Sequence, residues 1–369
     1  MTPTKFPEEV IEKEMTKYIG IDVGKKRCYA CVTNETGSVL DEFSFQNNLD
    51  GINELIKTIH PTSDNQCNAV LESTANMWIR AYHALEDRGI AVKLANPNKT
   101  KAIASATIKT DKLSAKILAD LLRANLIAEC FVSPKETREI NALLRQRASL
   151  VKMQTMVKNR VHALLDRYDH KSNFSDMFGV QGMEWLKMLE LNQIDRYILD
   201  SHVRHIECLK EETTILDSKI ASIVTQNEDA KLLMTLTGID YHSALLIASE
   251  ICDIRRFPSP KHLVSWIGLC PSIHQSGNSL HIGGIKKDSN KRVRWVLVQA
   301  AQTASRTDPR MKSLHDRIAL KKDEGRAVIR VANKMATIIW HILAKKQPYY
   351  QVKQELYQSK LKKISRIAA

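Results

Sequence analysis

Tyr18-Ile-Gly-Ile-Asp22-Val-Gly24 reads as a buried strand that ends on a carboxylate beside a flexible glycine turn. The apolar run Cys28–Thr33 follows across a Gly-Lys-Lys turn, and Thr36-Gly37 marks a second turn before a strand at Val39–Phe45. These three form an antiparallel meander with its first acid at the end of strand one. A helix is expected over Leu49–His60, then a strand at Asn68–Leu71 running into Glu72. Another helix covers Met77–Arg88, and a strand at Ala91–Ala95 is closed by Asn96-Pro97-Asn98. Lys109-Thr110-Asp111 leads into a helix at Ala115–Ala128. Antiparallel strands followed by βαβ units predict a mixed α/β sheet with helices on its faces, spanning residues 16–134.

Within that region Asp22, Glu72 and Asp111 share a position: each lies at or just beyond the C-terminal end of a strand, or at a helix entrance. Open α/β sheets build their sites at that edge. Three carboxylates gathered there repel one another unless a hard cation such as Mg²⁺ neutralises them. The alternative makes Asp111 a helix cap and Glu72 a solvated acid. Cys28 and Cys31 form a C-x-x-C, but in a strand i and i+3 point to opposite faces, and no second pair follows. His202 and His205 fit one helix face with no acid or cysteine grouped around them.

Residues 135–230 contain few Gly or Pro and read as helical. Glu136–Tyr168 sets Ile140, Leu144, Val157, Val161 and Leu165 on one side and Arg145, Arg147, Lys158 and Arg160 on the other. Further on, a heptad places Leu199, His202, Ile206, Leu209, Thr213, Leu216, Ile220 and Ile223 at a and d, which predicts a coiled-coil arm or helical hairpin. Residues 231–343 read as mostly helical. Leu232–Ile239 and Ala244–Ile251, joined by Thr-Gly-Ile, make a helix–hairpin–helix-like unit whose turn and second helix N-terminus suit a phosphate. Gln275-Ser276-Gly277-Asn278-Ser279 is a polar loop offering hydroxyls upstream of Lys286, Lys287, Lys291, Arg292 and Arg294. A basic helix is expected from about Lys291 to Ser305, and another over Arg326–Leu343. Residues 344–369, with seven Lys+Arg to one acid, read as a flexible basic tail.

Composition narrows the class. With 369 residues, 43% of them hydrophobic, the chain can bury a sizeable core in two or three domains. The net charge is +14, yet residues 286–369 alone hold 21 Lys+Arg against 6 Asp+Glu, so the remainder is close to neutral. Charge so segregated points to a polyanion partner. No apolar run approaches the roughly 18–20 residues of a membrane span, so nucleic acid is favoured over a membrane surface. Met1 to Lys17 has no signal-peptide core, and seven scattered cysteines fit a reducing compartment, so a soluble intracellular protein is expected. Arg145, Lys158, Arg160 and the five cations after the serine loop are the candidate nucleic-acid contacts; the competing reading is a solvated helix face.

Ile-Gly-Ile-Asp22, Leu71-Glu72-Ser-Thr, Lys109-Thr110-Asp111-Lys112, the Leu-Thr-Gly-Ile turn, Trp266-Ile-Gly-Leu-x-Pro271 and Gln275-Ser276-Gly277 occur in one order. In that order, from Tyr18 to about Leu343, the chain resembles the DEDD-type insertion-sequence transposases, bridge-RNA-guided serine recombinases related to the pilin-gene invertases. The resemblance implies an RNase H/RuvC-like domain, a coiled-coil middle and a C-terminal transposase domain with a catalytic serine. It also implies Mg²⁺, DNA, a noncoding guide RNA, a homo-oligomer from dimer to tetramer, and a prokaryotic, nucleoid-associated setting in the cytoplasm. Carried over, the first three acids of the tetrad are Asp22, Glu72 and Asp111, and the nucleophile is Ser276. The fourth acid is expected three residues after Asp111, where this chain has Ser114; Asp120 lies nearly two helical turns farther on. Ser114 or water would then complete the shell.

A serine hydroxyl is a weak nucleophile until a base or metal activates it. Mg²⁺ on the three acids would polarise the scissile phosphate, which requires two regions distant in sequence to meet. Ser279 is the rival nucleophile. Three other classes compete. A metal-dependent nuclease or junction resolvase would use the same acids with water. A sugar-kinase or actin-like ATPase shares the first strand but needs a second glycine-rich phosphate loop, which is missing here. A non-catalytic nucleic-acid-binding relative would follow if Ser114 reflects decay of the site.

Overall fold

The computed structural model describes residues 16–59, 66–73, 76–104, 110–276, 279–285 and 289–368. The chain divides into two compact units, Met1–Val132 and Ser133–Ala369.

In unit 1, strands β1 (Lys17–Val23), β2 (Arg27–Thr33) and β3 (Val39–Gln46) form the expected meander. Helix α1 (Leu49–Ile59), β4 (Cys67–Glu72), α2 (Trp78–Glu86), β5 (Ala91–Ala95), α3 (Pro97–Ile103) and α4 (Asp111–Arg123) follow. The sheet order is β3-β2-β1-β4-β5, antiparallel across the first three strands and parallel across the last three. The period-2 alternation of β1 divides the two faces. Ile19, Ile21 and Val23 pack with Ala30, Val32 and Leu71 against Ile52, Leu55 and Ile59 of α1 and Tyr82 and Leu85 of α2. The opposite face carries Tyr18, Gly20 and Asp22, and there Val70 and Ala95 meet Leu118 and Leu122 of α4. Gly20 permits that contact. A Cβ there would lie 2.0 Å from the Ala115 carbonyl oxygen and 2.5 Å from the Ala119 nitrogen.

Several helix boundaries differ from expectation, α4 ending at Arg123 rather than Ala128 among them, and two of the differences have local causes. Asn96-Pro97 does not merely close β5: the Asn96 side chain accepts from Lys99 N and Pro97 opens α3, the usual place for a helix-initiating proline. Helix α4 starts four residues early because Thr110 Oγ1 accepts from Leu113 N, which puts Asp111 inside the first turn. Cys28 and Cys31 are buried on opposite faces of β2, and burial raises both thiols to about 11.

Unit 2 begins with a long antiparallel helix pair, α5 (Lys135–Asp166) and α7 (Gln193–Gln226), with α6 (Val180–Met188) between them in sequence. Arg147 and Asp217 join the pair through two hydrogen bonds, 2.8 and 3.1 Å. At the far end Val161, Leu164 and Leu165 pack on Leu186, Leu199, Val203 and Ile206. The buried positions of α7 depart from the expected heptad. Val203 replaces His202, Val224 is buried in place of Ile223, and Leu209, Thr213 and Leu216 remain half-exposed. The a positions Leu199, Ile206 and Ile220 are buried as expected, so the one-position shifts are confined to d.

The rest of unit 2 comprises α8 (Glu228–Met234), α9 (Tyr241–Ile251), α10 (Pro260–Ile267), the hairpin β6 (Pro271–Ser276) and β7 (Ser279–Ile285), α11 (Lys291–Thr307), α12 (Pro309–Ala319), α13 (Glu324–Lys345) and α14 (Gln354–Ala368). Leu245, Leu297, Val331, Met335 and Ile339 lie at its core. Helix α13 is long and apolar enough to cross a membrane, but here it forms the centre of this bundle, with Ala327, Val331, Ala332, Met335, Ala336 and Ile339 fully buried.

The segment expected as a flexible basic tail is instead a docked helix. Tyr349 is buried and its N–H donates to Thr235 Oγ1. Ile364 joins the core, and Tyr357, Leu361 and Ile367 pack against it. Lys360 Nζ donates to the carbonyls of Met234, Leu236 and Ile239 at 2.7, 3.1 and 2.7 Å. These are the carbonyls of the Thr-Gly-Ile turn region. The turn therefore serves α14: three of its carbonyls accept from Lys360, and the next helix is capped by the Asp240 carboxylate, which also accepts from Lys363. A carboxylate thus already occupies the helix start at which a phosphate is expected from the sequence.

Two outcomes follow from this packing. Gly20→Ala is expected to destabilise unit 1 by about 3 kcal/mol, the upper end for overpacking, because both clashing atoms are backbone; urea denaturation measures it. Burial lowers Lys360 from 10.5 to about 8. Between those values the unfolded chain binds the extra proton, so stability rises with pH across that window. The rise is on the order of 1–2 kcal/mol after allowance for the three carbonyl partners, and it should vanish in Lys360→Met when melting is compared at pH 8 and pH 10.

Candidate active site

The sheet register brings two of the three acids to one edge. Gly20 pairs with Val70 and Ile21 with Leu71 in the parallel β1–β4 ladder, so Asp22 and Glu72 end neighbouring strands side by side. Both alternate onto the face that α4 covers, two residues on from Gly20 and Val70. Helix α4 runs antiparallel to β1: Leu122 lies by Tyr18, while Ala115 and Ala119 lie by Gly20. Its first residue, Asp111, therefore comes to the same end of β1 as Asp22. Ser114 sits half-buried within the first turn of α4, its N–H bonded to the Thr110 carbonyl. Asp120 lies farther along α4, where its charge acts on the Cys31 thiol of β2.

Three carboxylates are the hard oxygen donors that Mg²⁺ or Mn²⁺ takes. Among the described residues, however, no three His, Cys, Asp or Glu side chains are close enough to hold a metal ion. The acids share an edge without closing on a point. A further acid on the α4 face, level with Gly20 rather than with Asp22, is unmarked by any sequence pattern. Glu42 of β3, two strands from β1, shares the α4 face through the pairs Gly20–Cys31 and Cys31–Glu42. It ion-pairs with Lys112, the neighbour of Asp111, and accepts from the Cys31 thiol at 3.8 Å. Glu42 and Lys112 lie 70 positions apart, so nothing local in the sequence links them.

In unit 2 the Ser276 segment is a β-hairpin rather than an open loop. Ser276 ends β6 and pairs across the turn with Ser279, the first residue of β7. Gly277 and Asn278 connect them and lie outside the described residues, as do Lys286 and Lys287. The two serines thus occupy one rung, and backbone placement alone does not separate them as nucleophiles.

The base of the hairpin is held by polar contacts. Asn333 Nδ2 donates to the Leu269 carbonyl at 2.9 Å, and Asn290 N–H donates to the Trp266 carbonyl at 3.0 Å. Asn290 Oδ1 also caps α11 by accepting from Arg292 N and Val293 N, both at 3.1 Å. Its amide nitrogen donates to Glu250 Oε2 at 2.8 Å. Lys291 is exposed at the start of α11, Arg292 reaches Glu250, and Arg294 donates to Ser289 Oγ at 2.9 Å. Arg145 also reaches Glu250, whereas Lys158 lies over the Phe178 ring and Arg160 is exposed on α5.

Comparison with known proteins agrees with both units. A family model described as transposase, of the DEDD and IS110 type, matches residues 19–169. A second, described as the transposase IS116/IS110/IS902 family, matches residues 230–316. The transposase of insertion sequence element IS1111A from Coxiella burnetii is 26% identical over 353 residues, covering 90% of this chain and 91% of that relative. The pilin gene-inverting protein of Moraxella bovis is 26% identical over 345 residues, covering 90% of this chain and 97% of its own length. The transposase of element IS1328 from Yersinia enterocolitica is 24% identical, covering 87% and 95%. A mixed five-stranded sheet with a helical C-terminal unit, matched over both units by one family, places the chain among enzymes that cut and rejoin DNA: it belongs to the IS110 family of DEDD-type insertion-sequence transposases.

Proposed function

We propose that this transposase moves DNA through a covalent phosphoserine intermediate at Ser276, assisted by Mg²⁺ at Asp22, Glu72 and Asp111 and guided by a noncoding bridge RNA. The observation that carries the reading is the shared edge of β1, β4 and α4, which collects oxygen donors at the end of the sheet where such folds build their sites. Bound there, a divalent ion would supply Lewis-acid polarisation of a phosphate oxygen. Asp22 and Glu72 at the strand ends and Asp111 at the start of α4 would hold it, with Ser114 or water in the position of the fourth acid.

Ser276 Oγ attacks the phosphorus of one DNA strand. A new Oγ–P bond forms, one P–O ester bond breaks, and the departing strand end leaves as a hydroxyl that takes up the proton lost by the serine. The reverse attack by a strand hydroxyl on the phosphoserine rejoins DNA and frees Ser276. One phosphoester replaces another at each stage, so no nucleotide triphosphate is consumed. Ser279, on the same rung, is the nearest alternative. Lys291, Arg292, Arg294 and Arg145, with Lys286 and Lys287 beside the hairpin in sequence, would supply sequence-independent contacts to DNA or guide-RNA phosphates, as would Lys158 and Arg160 on α5. An oligomer from dimer to tetramer fits an exchange that breaks and rejoins several strands.

In a denaturing gel assay with DNA, the matching guide RNA and Mg²⁺, Ser276→Ala is expected to abolish the protein–DNA adduct and Ser279→Ala to retain it. The reverse pattern would move the nucleophile to Ser279, and cleavage without any adduct would make this a water-using nuclease. Asp22→Asn and Glu72→Gln are each expected to lower adduct formation by at least about a hundredfold, the scale of losing one preorganised electrostatic contact. Chelation with EDTA should do the same to the wild type, and restoration by added Mg²⁺ or Mn²⁺ tests the identity of the ion.

A further inference from the structure

We infer that Arg145, Arg292 and Trp295 form a seat for one unpaired nucleotide at the foot of the Ser276 hairpin, with Glu250 holding the two arginines in place. The inference rests on the proposed DNA chemistry at Ser276. Glu250 closes α9 with its side chain only 13% exposed, and a single carboxylate oxygen meets both guanidinium groups, Arg145 Nη2 at 3.9 Å and Arg292 Nη1 at 3.5 Å. Its other oxygen is used by Asn290, the cap of α11. Two cations thus share one anion, and their outer faces, 52% and 53% exposed, remain open to solvent. Burial and the neighbouring Arg292 both pull Arg145 down from its usual range, so the pair is held together against its own repulsion. An incoming phosphate would relieve that repulsion, and two guanidinium groups match its oxygens.

Trp295 adds the second element. It lies three residues beyond Arg292 on the same face of α11, and it is 64% exposed although its neighbours Val293, Val296 and Leu297 are buried. A large indole left in water beside a phosphate-binding pair is a stacking platform for a base. Bases within a duplex are already stacked on one another, so the platform selects a strand whose base is free. That is the state of a strand near a cut or at an exchange point.

The test is equilibrium binding, which needs no chemistry. Wild type, Trp295→Ala, Arg145→Gln and Arg292→Gln are titrated with fluorescein-labelled oligothymidylate and with duplex DNA of equal length over a range of salt. Trp295→Ala is expected to lose about tenfold in affinity for the single strand and less than about twofold for the duplex. Each arginine variant should lower the salt slope on the single strand by about 0.7, the value for one lost phosphate contact. Equal losses on both DNAs, no loss with Trp295→Ala, or unchanged salt slopes would each overturn the seat. Oligouridylate as competitor assigns the strand: weaker displacement than by oligothymidylate keeps the seat on DNA, and stronger displacement overturns that assignment. If the wild type forms no adduct but these binding shifts appear, the serine chemistry fails and the seat stands. An adduct without the shifts removes the seat and leaves the serine chemistry in place.

Discussion

Unit 1 depends on one close contact, the passage of α4 over Gly20 of β1. Backbone atoms of Ala115 and Ala119 occupy the space where any side chain at position 20 would begin. The contact fixes the depth of α4 on the sheet, and it fixes the axial register as well, because the helix cannot slide without bringing a bulkier neighbour over the strand. Asp111 inherits its place from that register, as does Lys112, which thereby reaches Glu42 of β3. A glycine two residues before an acid is therefore part of the acid's geometry, although it carries no chemistry of its own.

In unit 1 strands are more legible than helices, whereas in unit 2 the polar hairpin β6–β7 reads as a loop. β1 to β5 are short, apolar and bounded by turn residues, and their limits follow from local pattern. Helix α3 is hidden because Asn96-Pro97 serves a turn and a helix start equally well, and only the Asn96–Lys99 bond decides between them. The heptad in α7 is right at a, where Leu199, Ile206 and Ile220 are buried, and wrong at d, where Val203 and Val224 are buried in place of His202 and Ile223. Helix α14 does carry a signal: Tyr357, Leu361, Ile364 and Ile367 recur at helical spacing. The surrounding lysines conceal it, because Lys360 looks like solvated charge until its three carbonyl partners are known.

The acids that organise the two units are legible in different degrees. Asp22, Glu72 and Asp111 sit at ends of elements, where sequence pattern predicts a functional edge. Glu42 and Glu250 lie on an edge strand and at the close of a helix, with nothing local to mark them. Each acquires its role from a distant residue, Lys112 in one case and Arg145, Asn290 and Arg292 in the other. A single sequence reports chemistry that is local to an element and is silent on chemistry assembled by packing.

The docking of α14 also imposes an order on folding during synthesis. The sheet and its covering helices in unit 1 draw only on residues up to Val132, so that unit can close on itself while the rest of the chain is still being made. The bundle of unit 2 is completed later, because the carbonyls of Met234, Leu236 and Ile239 wait for Lys360, a loop closure of more than a hundred residues. Until residue 360 has left the ribosome, α7 and the turn between α8 and α9 expose apolar surface that α14 later covers, so the nascent chain passes through a stage in which one unit is native and the other is open to aggregation or to chaperones.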